Sequence, residues 1–166
     1  MSPWQEPQGG MLRIGAHLIR RILRAYPIVK ARLPELRMIV VAGPRIDAAC
    51  LAAPDGVEVR AFVPNLDQHL AACDVALVQG GLTTCMELAA AGTSFIYFPL
   101  RNHFEQNFHV AHRLRRYGAG IQMDFAASTP EMIADAIALA FSRPLNPKPV
   151  EADGPSKAAA MIAELL

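Results

Sequence analysis

The chain has 166 residues, of which 52% are hydrophobic and 19% are charged; this excludes a disordered protein and suits one globular domain with a sizeable core. Its 16 lysines and arginines nearly balance 15 aspartates and glutamates, so no global charge recruits nucleic acid, and any anion site must be local. The start lacks the features of a signal peptide, and no apolar run approaches the ~18 residues of a membrane span. We therefore expect a cytoplasmic protein without a transmembrane segment.

Strands and helices are predicted to alternate along the chain. Residues 1–10 are rich in proline, glutamine and glycine and are predicted to be an irregular lead-in to a single domain over residues 11–166. An amphipathic helix is predicted over residues 11–25, with Pro27 interrupting it. Further strands are predicted over residues 37–42, 57–63, 74–78, 95–98 and 121–123, and further helices over 46–52, 66–72, 82–91, 105–117, 128–142 and 156–166. This alternation predicts an α/β fold, a doubly wound parallel sheet covered by helices on both faces in three αβα layers.

The spacing of the cysteines does not suit metal binding or redox chemistry. Cys50, Cys73 and Cys85 lie at neither metal-ligand nor redox spacing. We expect them to act as small apolar core residues in a reducing compartment. The sequence therefore predicts no metal site.

The stretch from Asp74 to Asn107 holds the residues that best suit ligand binding. Gly80 and Gly81 follow a predicted buried strand and precede a helix, where a ligand can approach the backbone and free N–H groups favour a phosphate. Thr83 and Thr84 would add hydroxyl donors, and Glu87, one turn further on, suits the hydroxyl pair of a ribose. These residues predict a nucleoside diphosphate with its phosphates at residues 80–84 and its ribose on Glu87.

The same residues also allow a purely structural interpretation. Thr84 and Glu87 have the spacing of a capping box, and a Gly-Gly turn needs no ligand. Neither the Gly-x-Gly-x-x-Gly fingerprint nor the Gly-Lys-Ser/Thr of a P-loop occurs. Taken alone, the stretch leaves both interpretations open.

A second polar loop follows the next predicted strand. Glu105 and Gln106 are adjacent at a helix start, where they could hold the hydroxyls of a sugar if the two strands are neighbours. The structural alternative is a helix with an acidic first turn. His103 is a further candidate, whereas His109 and His112 share one helix without a third ligand and are predicted to be surface residues rather than a metal site.

Together these residues resemble the carboxy-terminal, donor-binding domain of GT-B fold glycosyltransferases, particularly the type that makes lipid-linked and cell-wall sugars from UDP-N-acetylglucosamine. The resemblance covers residues 57–120 and depends on the order and spacing of several short motifs. These are Phe62-Val63-Pro64, Ala72-Cys73-Asp74, Gln79-Gly80-Gly81-Leu82-Thr83-Thr84 with Glu87, Ala91-Gly92, Phe98-Pro99 and Glu105-Gln106-Asn107. The resemblance implies a Rossmann-like sheet and transfer of a glycosyl group from a UDP-sugar.

The resemblance also implies roles for individual positions. The backbone near Phe62 and Val63 would hold the uracil ring, and Glu87 would bind the ribose. The diphosphate would contact Gly81, Thr83 and Thr84, and the sugar would contact Glu105 and Gln106. The remaining members of the donor-binding set are Gln79, Gly80 and His103. No metal or other cofactor is implied, because the helix N-terminus would stabilise the departing diphosphate.

The implied enzyme needs a second half. In the family this domain begins with a buried strand, and residues 1–8 are too polar and proline-rich to form one. An acceptor-binding domain or subunit, which usually supplies the catalytic base, is therefore an expected partner, and could hold the chain at a membrane surface. Two alternatives stay open: a UDP-sugar 2-epimerase-like fragment, and a non-catalytic nucleotide-sugar-binding module or homo-oligomer.

Overall fold

The computed structural model describes residues 10–150 and 153–165. The predicted irregular lead-in lies outside these residues except for Gly10, which begins the first helix. No helix in the described part of the chain combines the length and apolar character needed to cross a membrane.

The described elements alternate as predicted. They are α1 (Gly10–Arg32), β1 (Met38–Val41), a 3₁₀ turn (Ala48–Cys50), β2 (Val57–Arg60), α2 (Leu66–Ala72), β3 (Val75–Gln79), α3 (Leu82–Ala91), β4 (Ser94–Phe98), a π-helical segment (Glu105–Val110) that leads into α4 (Ala111–Tyr117), β5 (Ile121–Gln122), α5 (Pro130–Ser142) and α6 (Gly154–Ala163). The helix predicted over residues 128–142 is α5, which begins two residues later at Pro130, after the Thr129 hydroxyl accepts a hydrogen bond from the Met132 N–H at 3.3 Å.

The strands form two parallel sheets. One has the order β1-β2, and the other has the order β3-β4-β5. β3 and β4 pair from Val75 opposite Ser94 to Gln79 opposite Phe98, so the loops that follow these strands lie at the same edge. The expected single sheet is divided because no strand among the described residues lies between β1 and β3.

Helices cover both faces of the strand layer. α1 and α5 pack together on one face, against Ile96 and Phe98 of β4. α3 and α4 cover the other face, where Leu88 and Leu114 pack against Phe95. All residues of β4 are buried, as expected for a strand covered on both sides. The three-layer αβα arrangement is therefore confirmed.

Pro27 does not interrupt α1, so that prediction was wrong. A proline inside a helix removes one backbone hydrogen bond and costs about 3 kcal/mol. Here the side chain of Pro27 is exposed, while Ala25, Tyr26 and Val29 around it are buried. Packing of this apolar face stabilises the helix by more than the missing backbone hydrogen bond costs, and the helix continues to Arg32.

Three other elements differ from prediction. The helix expected over residues 46–52 is reduced to the 3₁₀ turn, in which Asp47 accepts from the Ala49 N–H at 3.0 Å. The second strand ends at Arg60 rather than at residue 63. The helix after β4 begins with π-helical geometry and becomes regular only at Ala111.

All three cysteines are free. Cys85 lies in the core between α3 and the sheet, and burial raises the pKa of its thiol to about 12. Cys73 is half-buried, and burial raises the pKa of this thiol too. Cys50 is exposed at the end of the 3₁₀ turn and donates to Asp47 Oδ2 at 3.4 Å, so the prediction of a core role was wrong for this residue.

Candidate functional site

The candidate site begins at the two glycines that follow β3. Gly80 is buried, and a Cβ atom there would lie 3.1 Å from Pro99 Cα and 3.4 Å from Gln106 Cβ. Its lack of a side chain therefore lets the loops after β3 and β4 pack against each other. A Cβ atom on Gly81 would meet nothing within 4 Å, so this position leaves open space in front of α3.

The amino terminus of α3 is uncapped by any side chain. Gly81 is the cap residue, and Thr83 and Thr84 lie in the first turn. The first N–H groups of a helix have no partner within it, and with the helix dipole they favour an anion. The capping box of Thr84 and Glu87 is wrong, because Thr84 is already the third residue of the helix.

A cavity of about 880 Å³ opens beside this helix start. It is lined by the candidate residues Val63, Gln79, Gly81, Thr84 and Gln106. An added Cβ on Gly15 of α1 would lie 3.8 Å from Gln79 Nε2 and 3.4 Å from Ile46 Cδ1. The loop after β1 and the last residue of β3 therefore both approach the first turns of α1, and the candidate residues lie at this edge.

Side-chain amides hold the loop after β4. Gln106 Oε1 accepts from the Leu100 N–H at 2.8 Å, while Asn107 Nδ2 donates to the carbonyls of Leu100 at 2.6 Å and His103 at 2.9 Å. Gln106 Nε2 makes no hydrogen bond within the described residues, so one of the two polar groups of this side chain is unused there. A separate role for Asn107 could not be predicted from the sequence, because bonds from an asparagine to carbonyls several residues earlier leave no local pattern.

Two more candidates belong to this second loop. His103 is half-buried, and its Nδ1 atom is enclosed without a hydrogen-bond partner among the described residues. Glu105 is exposed at the start of the π-helical segment, a geometry that is frequent at functional sites. Because Gln106 packs on Gly80, the second loop borders the first.

The remaining candidates lie outside the cavity wall. Thr83 and Glu87 are exposed and one turn apart on α3. Phe62 is 74% exposed, whereas Val63 beside it is only 4% exposed. The structure thus brings the Gly-Gly loop, Val63 and Gln106 together, and leaves Phe62, Thr83 and Glu87 on the surface around them.

Two predicted surface histidines and one basic residue of the cavity remain to be described. His109 and His112 are exposed, and no group of His, Cys, Asp and Glu side chains in the described part of the chain has the arrangement of a metal site. Arg45 lines the cavity in the loop after β1 and adds a cation. Arg45 and Gly15 were not among the residues predicted from the sequence, because their place at the site depends on β1 and β3 ending at the same edge.

Known proteins resemble this chain over most of its length. The family model for the glycosyltransferase family 28 C-terminal domain matches residues 15–166. A UDP-N-acetylglucosamine–N-acetylmuramyl-(pentapeptide) pyrophosphoryl-undecaprenol N-acetylglucosamine transferase from Acidiphilium cryptum is 27% identical over 157 residues, covering 87% of this chain and 42% of the relative. A protein of the same name from Methylibium petroleiphilum is 33% identical over 93 residues, covering 54% of this chain and 24% of the relative. The chain thus spans less than half the length of these relatives.

Solved structures show the same architecture. The crystal structure of the glycotransferase of kitacinnamycin superposes with a TM-score of 0.60 at 26% identity, covering 74% of this chain and 31% of that protein. The spinosyn forosaminyltransferase has a TM-score of 0.62 at 23% identity, over 82% of this chain and 32% of its own, a likeness that shows the fold alone. The fold, the uncapped helix beside the glycine pair and the family match agree, and this chain belongs to the glycosyltransferase family 28 C-terminal domains, the carboxy-terminal domains of GT-B glycosyltransferases.

Proposed function

We propose that this domain binds a UDP-sugar, UDP-N-acetylglucosamine, as the donor for glycosyl transfer to an acceptor held by another domain or subunit. The observation that carries the proposal is the open start of α3, where uncapped N–H groups follow a glycine pair at the edge of a cavity. The sugar is proposed because two relatives carry UDP-N-acetylglucosamine in their names.

The diphosphate would lie against the first turn of α3. Gly81 gives its oxygens access to the backbone N–H groups, and the half-buried Thr84 and exposed Thr83 offer hydroxyl donors. During transfer, the bond between the sugar C1 and the phosphate oxygen breaks while the acceptor oxygen bonds to C1, and the acceptor proton passes to a base outside this domain. Negative charge then develops on the diphosphate, where one oriented donor is worth about 10²–10³ in rate. We propose that the helix fills this role without a metal ion.

The nucleoside would extend from the diphosphate across the surface of α3. Glu87 is exposed one turn beyond Thr83 and makes no hydrogen bond or ion pair within the described residues. Its two carboxylate oxygens can accept from both ribose hydroxyls. The backbone at Phe62 and Val63 would hold the uracil edge, with the buried Val63 fixing its position.

The sugar would contact the loop after β4. Glu105 offers an exposed carboxylate, His103 offers the unpartnered Nδ1 atom, and Gln106 offers its Nε2 donor. Bonds from Asn107 to two loop carbonyls hold this loop in place before a ligand arrives. Such preorganisation lowers the cost of ordering the loop when the donor binds.

The test is titration of Glu87→Ala with UDP, with Glu105→Ala as the matched exposed carboxylate. Loss of the charge-assisted bonds from Glu87 should weaken UDP binding by about 1–3 kcal/mol, or about 5- to 150-fold. Glu105→Ala should leave UDP binding unchanged and reduce the preference for UDP-N-acetylglucosamine over UDP. Equal effects of both variants on UDP, or wild-type binding by Glu87→Ala, would contradict the proposed orientation.

A further inference from the structure

Two phenylalanines that the donor proposal does not use lie exposed beside the candidate site. The side chain of Phe104 is 66% exposed, at the start of the π-helical segment, and that of Phe108, one turn later, is 60% exposed. Their ring centroids are 4.7 Å apart, and the His109 ring meets Phe104 edge-on at 5.4 Å. We call these three rings the aromatic patch. Contiguous exposed rings of this kind indicate a surface that contacts an apolar partner.

The π-helical segment aligns the aromatic patch with the outer face of α4. Three buried side chains recur every four residues on the inner face: Gln106, Val110 and Leu114. Four exposed side chains recur at the same spacing on the outer face: Phe104, Phe108, His112 and Arg116. In a regular α-helix, with 3.6 residues per turn, a row of this spacing drifts around the helix, and the wider turns of the π-helical segment compensate for the drift. The outer row therefore carries aromatic rings at one end and an arginine at the other.

The charges around the aromatic patch are mostly positive. Residues 101–117 contain four arginines and one glutamate, whereas the whole chain has 16 basic and 15 acidic residues. The side chains of Arg101, Arg113 and Arg116 are exposed and make no ion pair or hydrogen bond within the described residues. A nearly neutral chain thus carries a local excess of positive charge next to its exposed phenylalanines.

Aromatic rings surrounded by arginines suit the surface of a bilayer with anionic headgroups. Arginines attract such headgroups, and phenylalanine is favoured at the boundary between headgroups and acyl chains. A second copy of the chain is a poorer match, because a two-fold contact would bring the arginines of both copies together. Two aromatic rings cover at most about 300–500 Å², less than the ~800 Å² that a stable protein interface needs on each partner.

We propose that the aromatic patch and the arginines beside it bind this domain to bilayers that contain anionic phospholipid. Phe104 and Phe108 insert between the headgroups, while Arg113 and Arg116 remain among the phosphates. The inner row holds the helix in the domain, so the side chains of the outer row enter the bilayer surface without the helix leaving the fold. Gln106 lines the cavity from the same segment, so the candidate site lies close to the membrane. This inference depends on the outer face of the segment and not on the donor proposal.

The first test is co-sedimentation of the full chain with two kinds of vesicle. One kind contains phosphatidylglycerol and phosphatidylcholine in equal parts, and the other contains phosphatidylcholine alone. Binding should be at least tenfold tighter to the anionic vesicles. It should weaken when NaCl is raised to about 1 M, where the Debye length is only ~3 Å. Equal binding to both kinds of vesicle, or no binding to the anionic kind, would overturn the proposal.

Two double variants locate the binding surface. Phe104→Ser with Phe108→Ser should fold, because both side chains are exposed, and should weaken vesicle binding at least tenfold. The matched control is Met132→Ser with Leu139→Ser, which removes apolar side chains that are 47% and 49% exposed on α5. This control should bind vesicles as the wild type does. Equal binding by the two double variants would overturn the assignment.

The arginines are tested in the same way. Arg113→Gln and Arg116→Gln should each weaken binding to the anionic vesicles by about fivefold, the equivalent of one arginine at the membrane surface. Wild-type binding by the variant that carries both changes would overturn the role of the charge. UDP titration of all these samples is scored separately, so either proposal can fail alone.

Insertion separates the bilayer from other partners. Phe108→Trp should be quenched by phospholipids brominated on their acyl chains, whereas Leu139→Trp should not, and Trp4 contributes the same background to both. Equal quenching of the two variants would overturn insertion of the aromatic patch. A wild-type dimer that Phe104→Ser with Phe108→Ser converts to a monomer in sedimentation velocity would assign the patch to a second copy and overturn the proposal.

Discussion

Alanine at each glycine after β3 separates the ligand-binding role of this loop from its packing role. At Gly81 the φ angle is −65°, which alanine adopts, and an added Cβ meets nothing within 4 Å. The loss of a preferred cap residue costs up to about 1 kcal/mol, and reduced entropy of the unfolded chain offsets about 0.4–1 kcal/mol. The free energy of unfolding should therefore stay within about 0.5 kcal/mol of wild type. UDP affinity should nevertheless fall at least tenfold, because the methyl group fills the approach to the N–H groups of α3.

At Gly80 the expected effects are different. The new Cβ would lie 3.1 Å from Pro99 Cα and 3.3 Å from Pro99 Cβ, so the two loops must move apart. Overpacking of this kind costs about 1–3 kcal/mol of unfolding free energy. Urea unfolding and calorimetric titration with UDP, applied to both variants, give the two quantities. Wild-type UDP affinity in Gly81→Ala would refute the phosphate position, and wild-type stability in Gly80→Ala would refute the close packing of the loops.

Three further changes test the fold around the site. Asn107→Ala leaves the carbonyls of Leu100 and His103 without their donor and should lower the free energy of unfolding by about 1–3 kcal/mol; Asn107→Asp, which cannot donate, should not restore it in urea unfolding. Pro27→Ala restores a backbone donor inside α1 and should raise the unfolding free energy by about 1–3 kcal/mol, and an unchanged thermal midpoint would contradict a continuous helix. Burial raises the pKa of Cys85 from 9.0 to about 12, so stability is full below pH 9 and falls as the pH rises toward 12. This thiol should account for about 2 kcal/mol between pH 8 and pH 10.5, a loss that urea unfolding of Cys85→Ala should not show.

The type and order of most elements follow from local sequence patterns. The apolar run before Gly80 and the helix-forming sequence closed by Gly92 predict β3 and α3, and the structure has both. Gly92 adopts φ 72°, which explains why a glycine ends this helix. Patterns of this kind act over a few residues, so they are visible without knowledge of the tertiary structure.

The structure differs from the sequence-based prediction where contacts between distant parts of the chain determine the local conformation. Pro27 remains inside a helix because α5 packs along α1, which no local pattern indicates. Thr84 and Glu87 have the spacing of a capping box, but α3 begins at Leu82 with Gly81 as its cap residue. Thr84 therefore lies within the helix and not at the cap position. The hydrogen bond from the Leu100 N–H to Gln106 Oε1 likewise depends on how the chain folds back after β4. The candidate residues could thus be named from the sequence, while their division into cavity-lining and exposed groups required the structure.

The most direct test of the proposed donor site is calorimetric titration of the full chain with UDP, UDP-N-acetylglucosamine and ADP. ADP shares the ribose and diphosphate but lacks uracil, so it reports how much of the affinity depends on the residues near Val63. We expect one-to-one binding of both uridine ligands and at least tenfold weaker binding of ADP. Equal binding of ADP, or no binding of any of the three by the folded chain, would contradict a uridine-specific donor site.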